Sequence, residues 1–181
     1  MSVTFAPIDV RGADRGALTR FLTRDSFPFH VVAEPSEDKV AASIDAGYYG
    51  GDRAALWVDH AEHGRIAIAV LEDLGDPTPM FDLRLATRYR GRGLGVPILQ
   101  ALTTHVFESF PSVNRFEGQT REDNLAMRTT FLRAGFLKEA HYREGWLVDG
   151  GEPLASVAYA ILRRDWASGT PTPFVWEDMQ A

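Results

Sequence analysis

Eight residues, RYRGRGLG from Arg88 to Gly95, place three arginines and three glycines together in a chain whose formal net charge is -6. Glycines reach left-handed conformations and let a ligand come close to the backbone. Where such a segment opens a helix, the free N–H groups of the first turn and the positive end of the helix dipole face the same ligand. That chemistry suits phosphate or pyrophosphate. A solvated basic turn is the alternative reading of the same residues. Two common phosphate motifs do not fit: there is no G-x-x-x-x-G-K-[ST], and Gly91, Gly93 and Gly95 alternate strictly, with Val96 following, which is not G-x-G-x-x-G. The chain has no cysteine, which excludes disulfides, thiolate nucleophiles and thiolate metal sites. The five histidines show no paired ligand spacing on a helix face, and His60 and His63 read as solvated turn residues, so no metal is expected.

The glycine segment needs a strand before it and a helix after it. MFDLRLA supplies the strand, with Phe81, Leu83 and Leu85 on one face and Asp82 and Arg84 on the other. GVPILQALTTHVFESF supplies the helix, with Pro97 in its first turn, where a missing N–H costs little. Upstream, SVTFAPI reads as a strand, ADRGALTRFLTRDSF and PSEDKVAASIDAGYYGG as helices, and AALWVD and RIAIAVLED as strands. In the last of these, Ile66, Ile68 and Val70 are expected on one face and Ala67, Ala69 and Leu71 on the other, so it belongs in a sheet covered on both sides. Downstream come a short strand VNRFEGQ, a helix DNLAMRTTFLRAG with an Asp or Asn cap and a Gly135 stop, and strands FLKEAHYRE and LASVAYAILRR. The order predicts one α/β domain, residues 1–166, on a mixed, mostly antiparallel sheet flanked by helices, with 167–181 as a C-terminal extension. Phe174 and Trp176 can dock that extension on its own sheet or on a neighbouring subunit.

The acidic balance weighs against nucleic acid, including an arginine–glycine RNA contact at RYRGRG. No apolar run approaches the roughly 18 residues of a membrane span, and the first residues lack a signal-peptide h-region. With no cysteine, a cytoplasmic setting is expected.

Arg90-Gly91-Arg92-Gly93-Leu94-Gly95 fits the [QR]-x-x-G-x-[GA] signature of the GNAT N-acetyltransferases. DNLAMRTTFLRAGF resembles that family's second motif, in which an Asn opens a helix ending in Gly-Phe: Asn124, Gly135 and Phe136 match. KEAHYREGWLVDGG followed by VAYAILRRDW resembles the ending of the ribosomal-protein (Rim-type) branch, and the element order is similar to the GNAT fold from about Val3 to Trp166.

The resemblance implies acetyl-CoA as co-substrate and direct transfer of its acetyl group to a primary amine, with no covalent enzyme intermediate. It places pyrophosphate on the amides from Arg90 to Gly95 (Arg90, Gly91, Arg92, Gly93, Leu94, Gly95), with added charge from Arg88, Arg90 and Arg92, and the pantetheine arm along the main chain at Leu85 and Ala86. A backbone N–H near Leu85 would serve as oxyanion donor. Asn124 would contact the pantetheine or acetyl region, act as a helix cap, or both; Arg128 would reach a phosphate or lie on a solvated helix face. Glu117 and Asp82 are the candidate bases, each with a solvated strand carboxylate as the alternative, and His105 and His141 are lesser options. The family's usual acid, a Tyr seven residues after the Asn, is Phe131 here, and the Ser common in the Rim-type branch three residues after it is Met127. Tyr142 and Tyr159 remain as candidate acids, each with an ordinary sheet tyrosine as the alternative, and Ser156 stands behind them. An α-amino group of pKa about 7.7–8.0 is roughly a tenth neutral at pH 7, whereas a lysine near 10.4 is neutral about four times in ten thousand. Missing acid–base groups therefore weigh against unassisted lysine acetylation more than against N-termini or small amines. The acceptor is read as a protein N-terminus or a small amine such as an aminoglycoside, polyamine or amino acid. Selection is assigned to the helices from Ala13 to Tyr49 and the turn near Asp149, with Phe27, Phe29 and His30 either lining the acceptor side or packing on the sheet. Glu34, Glu37, Asp38 and Asp45 can attract a cationic acceptor or form a solvated face. A homodimer is an open option. The alternative function is a catalytically silent CoA-binding sensor or partner-binding module, motivated by Phe131 and Met127.

Overall fold

The computed structural model describes residues 2–148 and 150–176; Asp149, on the turn expected to help select the acceptor, lies outside the described residues. The elements follow in the order β1 (Val3–Pro7), α1 (Arg15–Arg24), α2 (Glu37–Asp45), β2 (Ala54–His60), β3 (Gly64–Glu72), β4 (Met80–Leu85), α3 (Gly95–Ser109), β5 (Arg115–Arg121), α4 (Leu125–Arg133), β6 (Leu137–Trp146), β7 (Leu154–Leu162) and α5 (Arg163–Ser168). Local chemistry explains the boundaries. Ser36 Oγ accepts from Lys39 N–H at 3.3 Å and starts α2, with Glu37 and Asp38 at its positive end. Asn124 Oδ1 accepts from Met127 N–H at 3.2 Å and starts α4, and Gly135, at φ 95°, follows its last turn. The strand expected over LASVAYAILRR ends at Leu162, and Arg163–Ser168 form the short α5, which begins where Arg163 N–H donates to Asn114 C=O at 2.8 Å.

The seven strands form one sheet in the order β1-β2-β3-β4-β5-β7-β6. Each pair is antiparallel except β4 with β5, which is parallel and joined only at Met80 and Glu117. This is the expected mixed, mostly antiparallel sheet flanked by helices. Beyond Met80, β4 and β5 diverge and leave one edge of β4 unpaired. Helices α3 and α4 cover one face, over a core that includes Ala69, Leu71, Leu102, Phe116, Phe131 and Phe136. Helices α1 and α2 cover the other, over Trp57, Ile68, Val70, Leu18, Leu22 and Phe27. Ile66 departs from the expected alternation and joins the α3 side. The register slips between Val58 and Asp59, where Ile66 has no matched partner, and a bulge of this kind resets the alternation. The C-terminal stretch turns back on its own sheet, with Lys138 Nζ 5.6 Å from the Trp176 ring centre.

Candidate functional site

Two depressions meet at the divergence of β4 and β5. One is a basic groove of about 550 Å³ that runs from the glycine turn along β4 and between the start of α3 and α4. The other is a cleft of about 540 Å³ between the α1–α2 segment and the sheet. Phe29, His30, Leu83, Arg84, Asn124 and Met127 line both, so these residues mark the junction.

The basic groove has the donor set the glycine segment predicts. Gly91 and Gly93 sit at φ 70° and 76°, and a Cβ at either would meet no atom within 4 Å. The turn therefore opens outward and requires residues that tolerate the left-handed region. Among the described residues, the N–H groups of Gly91, Arg92, Gly93 and Leu94 have no hydrogen-bond acceptor. Gly95 serves a second purpose: its would-be Cβ lies 3.1 Å from Thr130 Oγ1, so its smallness lets α4 approach the start of α3. Arg84, Arg90 and Arg133 line the groove, and no carboxylate does among the described residues. Ala86 N–H donates to Ile66 C=O at 2.9 Å. Antiparallel pairing alternates, so Leu83 and Leu85 present their N–H groups to the unpaired side of β4. These features fit the pyrophosphate and the amide-bearing arm of a coenzyme A.

Several expected roles change. Ala86 has no free main-chain group for the pantetheine arm, because its N–H is held by Ile66 and its C=O accepts from Tyr89 N–H at 2.9 Å. Arg128 does not line the groove; its Nε donates to the Tyr159 hydroxyl at 3.1 Å and its Nη1 to Glu122 C=O at 2.6 Å. That bond also occupies Tyr159, whose ring stacks on Phe131 in the core. Arg133, one helical turn further along, lines the groove instead. Arg90 is partly withdrawn, its Nε donating to Leu85 C=O at 2.8 Å. Asn124 is a helix cap, donates from Nδ2 to Thr120 Oγ1 at 2.9 Å, and lines both depressions.

Among the candidate bases and acids, Glu117, Asp82, His105, His141, Tyr142, Tyr159 and Ser156, only Asp82 lines either depression. Glu117 is tied to Arg115 and to Gln119 Nε2, the latter at 2.8 Å. Tyr142 is half exposed on the edge strand β6. Asp82 accepts from Arg84 Nε and Nη2 at 2.9 and 2.8 Å through Oδ2 and meets His30 Nε2 at 2.8 Å through Oδ1. Burial alone would raise its pKa, but the His30 hydrogen bond and the Arg84 charge outweigh that and hold the carboxyl well below the usual range. A carboxylate so held is a poor proton acceptor at neutral pH and a good fixed negative charge. His30 is a residue that the sequence left open between lining the acceptor side and packing on the sheet. Its signal was only its place beside Phe27 and Phe29; Phe27 does pack in the core, while Phe29 and His30 face the junction.

His60 is 3% exposed rather than solvated. Together with Glu62 and His63 it brings ligand-type atoms within 4.8 Å of one another. The His60 and His63 rings are stacked at 4.7 Å and 17°, so their in-plane lone pairs do not converge on one ion, and His60 Nδ1 already accepts from Glu62 N–H at 3.2 Å. Among the described residues, no helix is long and apolar enough to cross a membrane.

Residues 6–137 match the model of the acetyltransferase (GNAT) domain family. The chain belongs to the GNAT acetyltransferases. It is an N-acetyltransferase that draws on acetyl-CoA. The fold of this acetyltransferase is similar to that of the Vibrio cholerae spermidine N-acetyltransferase solved with CoA and spermine, at TM-score 0.76 and 15% identity over 91% of this chain and 98% of that one. A chimeric form of a Vibrio cholerae spermidine N-acetyltransferase matches at TM-score 0.77 and 14% identity, over 92% of this chain and 99% of that one. These similarities are to spermidine enzymes rather than to the Rim-type branch.

Proposed function

We propose that this acetyltransferase moves an acetyl group from acetyl-CoA in the basic groove to a small primary amine that enters through the aromatic cleft. The meeting of the two depressions at Leu83, Arg84, Asn124 and Met127 carries this reading. Bound acetyl-CoA supplies the activated thioester. The amides of Gly91 to Leu94 and the first turn of α3 hold anionic oxygens, and Arg133 adds charge. The free N–H groups at Leu83 and Leu85 are donors on the carbonyl side. Across the reaction the acceptor ammonium loses two protons, one to the departing sulfur and one to solvent, while its nitrogen takes the acetyl carbon from sulfur. Asp82, kept ionised, orients the ammonium before that loss, and His30 positions Asp82. Phe131 is fully buried and donates nothing, so solvent reached through the cleft supplies the proton path.

The Rim-type acceptor, a protein N-terminus, is the second reading and rests on the ending from Lys138 to Trp166. The similarity to spermidine enzymes and the cleft's volume of about 540 Å³ favour a small molecule.

Titration of acetyl-CoA into wild type and Gly93→Asp tests the cofactor assignment. Gly93 has open space for a side chain, and Asp tolerates its φ of 76° better than most residues, so the variant should fold. Micromolar binding, about -8 kcal/mol, that the variant loses supports the reading. No binding to wild type, or equal binding to both, removes it. Binding with no CoA release across a panel of amines and N-terminal peptides would favour the silent module.

A further inference from the structure

The acceptor cleft lacks the acidic lining that a polyamine would need. Its charged residues, among those described, are Lys39, Asp82 and Arg84. Its one carboxylate is already shared by Arg84 and His30. Nearby acids are also matched outside the lining: Glu72 by Arg53 at 3.9 Å and the Tyr48 hydroxyl at 3.0 Å, and Glu117 by Arg115. Glu37 and Asp38 on α2 are exposed to solvent and do not line the cleft. A molecule with several ammonium groups would therefore meet two cations for every carboxylate.

Resting on the acetyl-transfer reading above, we propose that the acceptor is an apolar or aromatic amine that also bears a carboxylate, with an apolar α-amino acid as its simplest form. Asp82 and Arg84 sit two residues apart on one face of β4 and form a fixed minus–plus pair at the junction. An amino acid presents the complementary plus–minus pair. Asp82 Oδ2 takes both bonds from Arg84, but Oδ1 meets only His30 and retains a lone pair for the ammonium. Arg84 uses Nε and Nη2 on Asp82, and its Nη1 has no hydrogen bond among the described residues, which leaves that edge of the fork for a carboxylate. Lys39 adds a second positive charge. The remaining walls, including Phe29, Tyr49, Phe81 and Trp146, suit an apolar body. Burial raises the Tyr49 hydroxyl pKa, so that wall stays neutral.

The test is isothermal titration of L-phenylalanine, L-methionine, L-leucine, their amides and spermidine into the full chain, with and without saturating CoA. At least one amino acid should bind tenfold or more tightly than its own amide and than spermidine. Lys39→Glu should narrow that gap, weakening the amino acid and improving spermidine. Lys39 is exposed on α2, so this variant keeps the fold even if Arg84→Gln, which strands Asp82, does not. Spermidine or the amides binding as tightly as the amino acids, or no amino acid binding in either condition, overturns the proposal. Selective amino-acid binding with no CoA released when acetyl-CoA is supplied would instead strike the transfer reading and leave only the ligand class at the Asp82–Arg84 pair standing.

Discussion

Asp82 keeps its charge against burial because His30 and Arg84 occupy its two oxygens. Its folded pKa lies below its unfolded value, so its contribution to stability is complete above about pH 4. That contribution is lost as pH falls below this range toward the lowered folded value. Asp82→Asn should therefore destabilise the protein at pH 7, and the gap to wild type should shrink between about pH 4 and pH 2, as followed by urea melts at each pH. In the proposed reaction His30 would act on substrate through Asp82, as a positioning residue. His30→Ala should lower kcat/KM about tenfold, roughly 1.4 kcal/mol, mostly through acceptor KM. His30→Gln, whose amide can still donate to Oδ1, should recover most of the loss. Failure of that rescue in steady-state assays would mean the imidazole itself takes part.

The divergence of β4 and β5 is an element-scale feature, and Gly118 on β5 helps set it. A Cβ there would lie 2.6 Å from Phe131 Cζ and 2.8 Å from Phe81 Cε1. Both rings belong to one aromatic cluster: Phe131 stacks on Tyr159 at 4.8 Å, and Phe81 and Phe136 pack beside it. Neither ring is free to withdraw. Gly118→Ala should cost about 1–3 kcal/mol as overpacking, read by denaturant unfolding. Because Phe131 and Phe81 also line the acceptor cleft, acceptor KM should rise while acetyl-CoA affinity changes little. The aromatic ring at position 131 thus supports α4 against β5, which accounts for its burial without any proton-transfer role.

Across the whole molecule, Arg163 joins the chain's last elements to its middle. Its guanidinium donates to the carbonyls of Val113, Phe107 and Phe110 at 2.7, 2.8 and 2.6 Å. Those carbonyls lie at and beyond the end of α3, whose helix dipole is negative there. Arg163→Ala should cost about 2–3 kcal/mol and lower Tm by roughly 4–12 °C for a domain of this size. Acetyl-CoA binding should be unchanged at temperatures where the variant is folded, because the groove lies at the opposite end of α3. Charge is also arranged at this scale: a chain of net charge -6 keeps carboxylates out of the groove lining among the described residues and gathers Arg84, Arg90 and Arg133 there.

Local patterns in the sequence determined the element order as far as β7, the glycine turn before α3, the Asn124 cap and the Gly135 stop. Each depends on residues a few positions apart, where backbone preference and periodicity act directly. The GNAT signature placed the basic groove for the same reason. The sequence left open which remote side chains meet. His30 and Asp82 are 52 residues apart and meet because the α1–α2 segment folds over β4. Arg128 turns to Tyr159 because β7 passes beneath α4. Tyr142 faces solvent because β6 takes the sheet edge. Strand order, register and the single parallel pairing decide those contacts, and they are set by packing of the whole chain rather than by any local pattern.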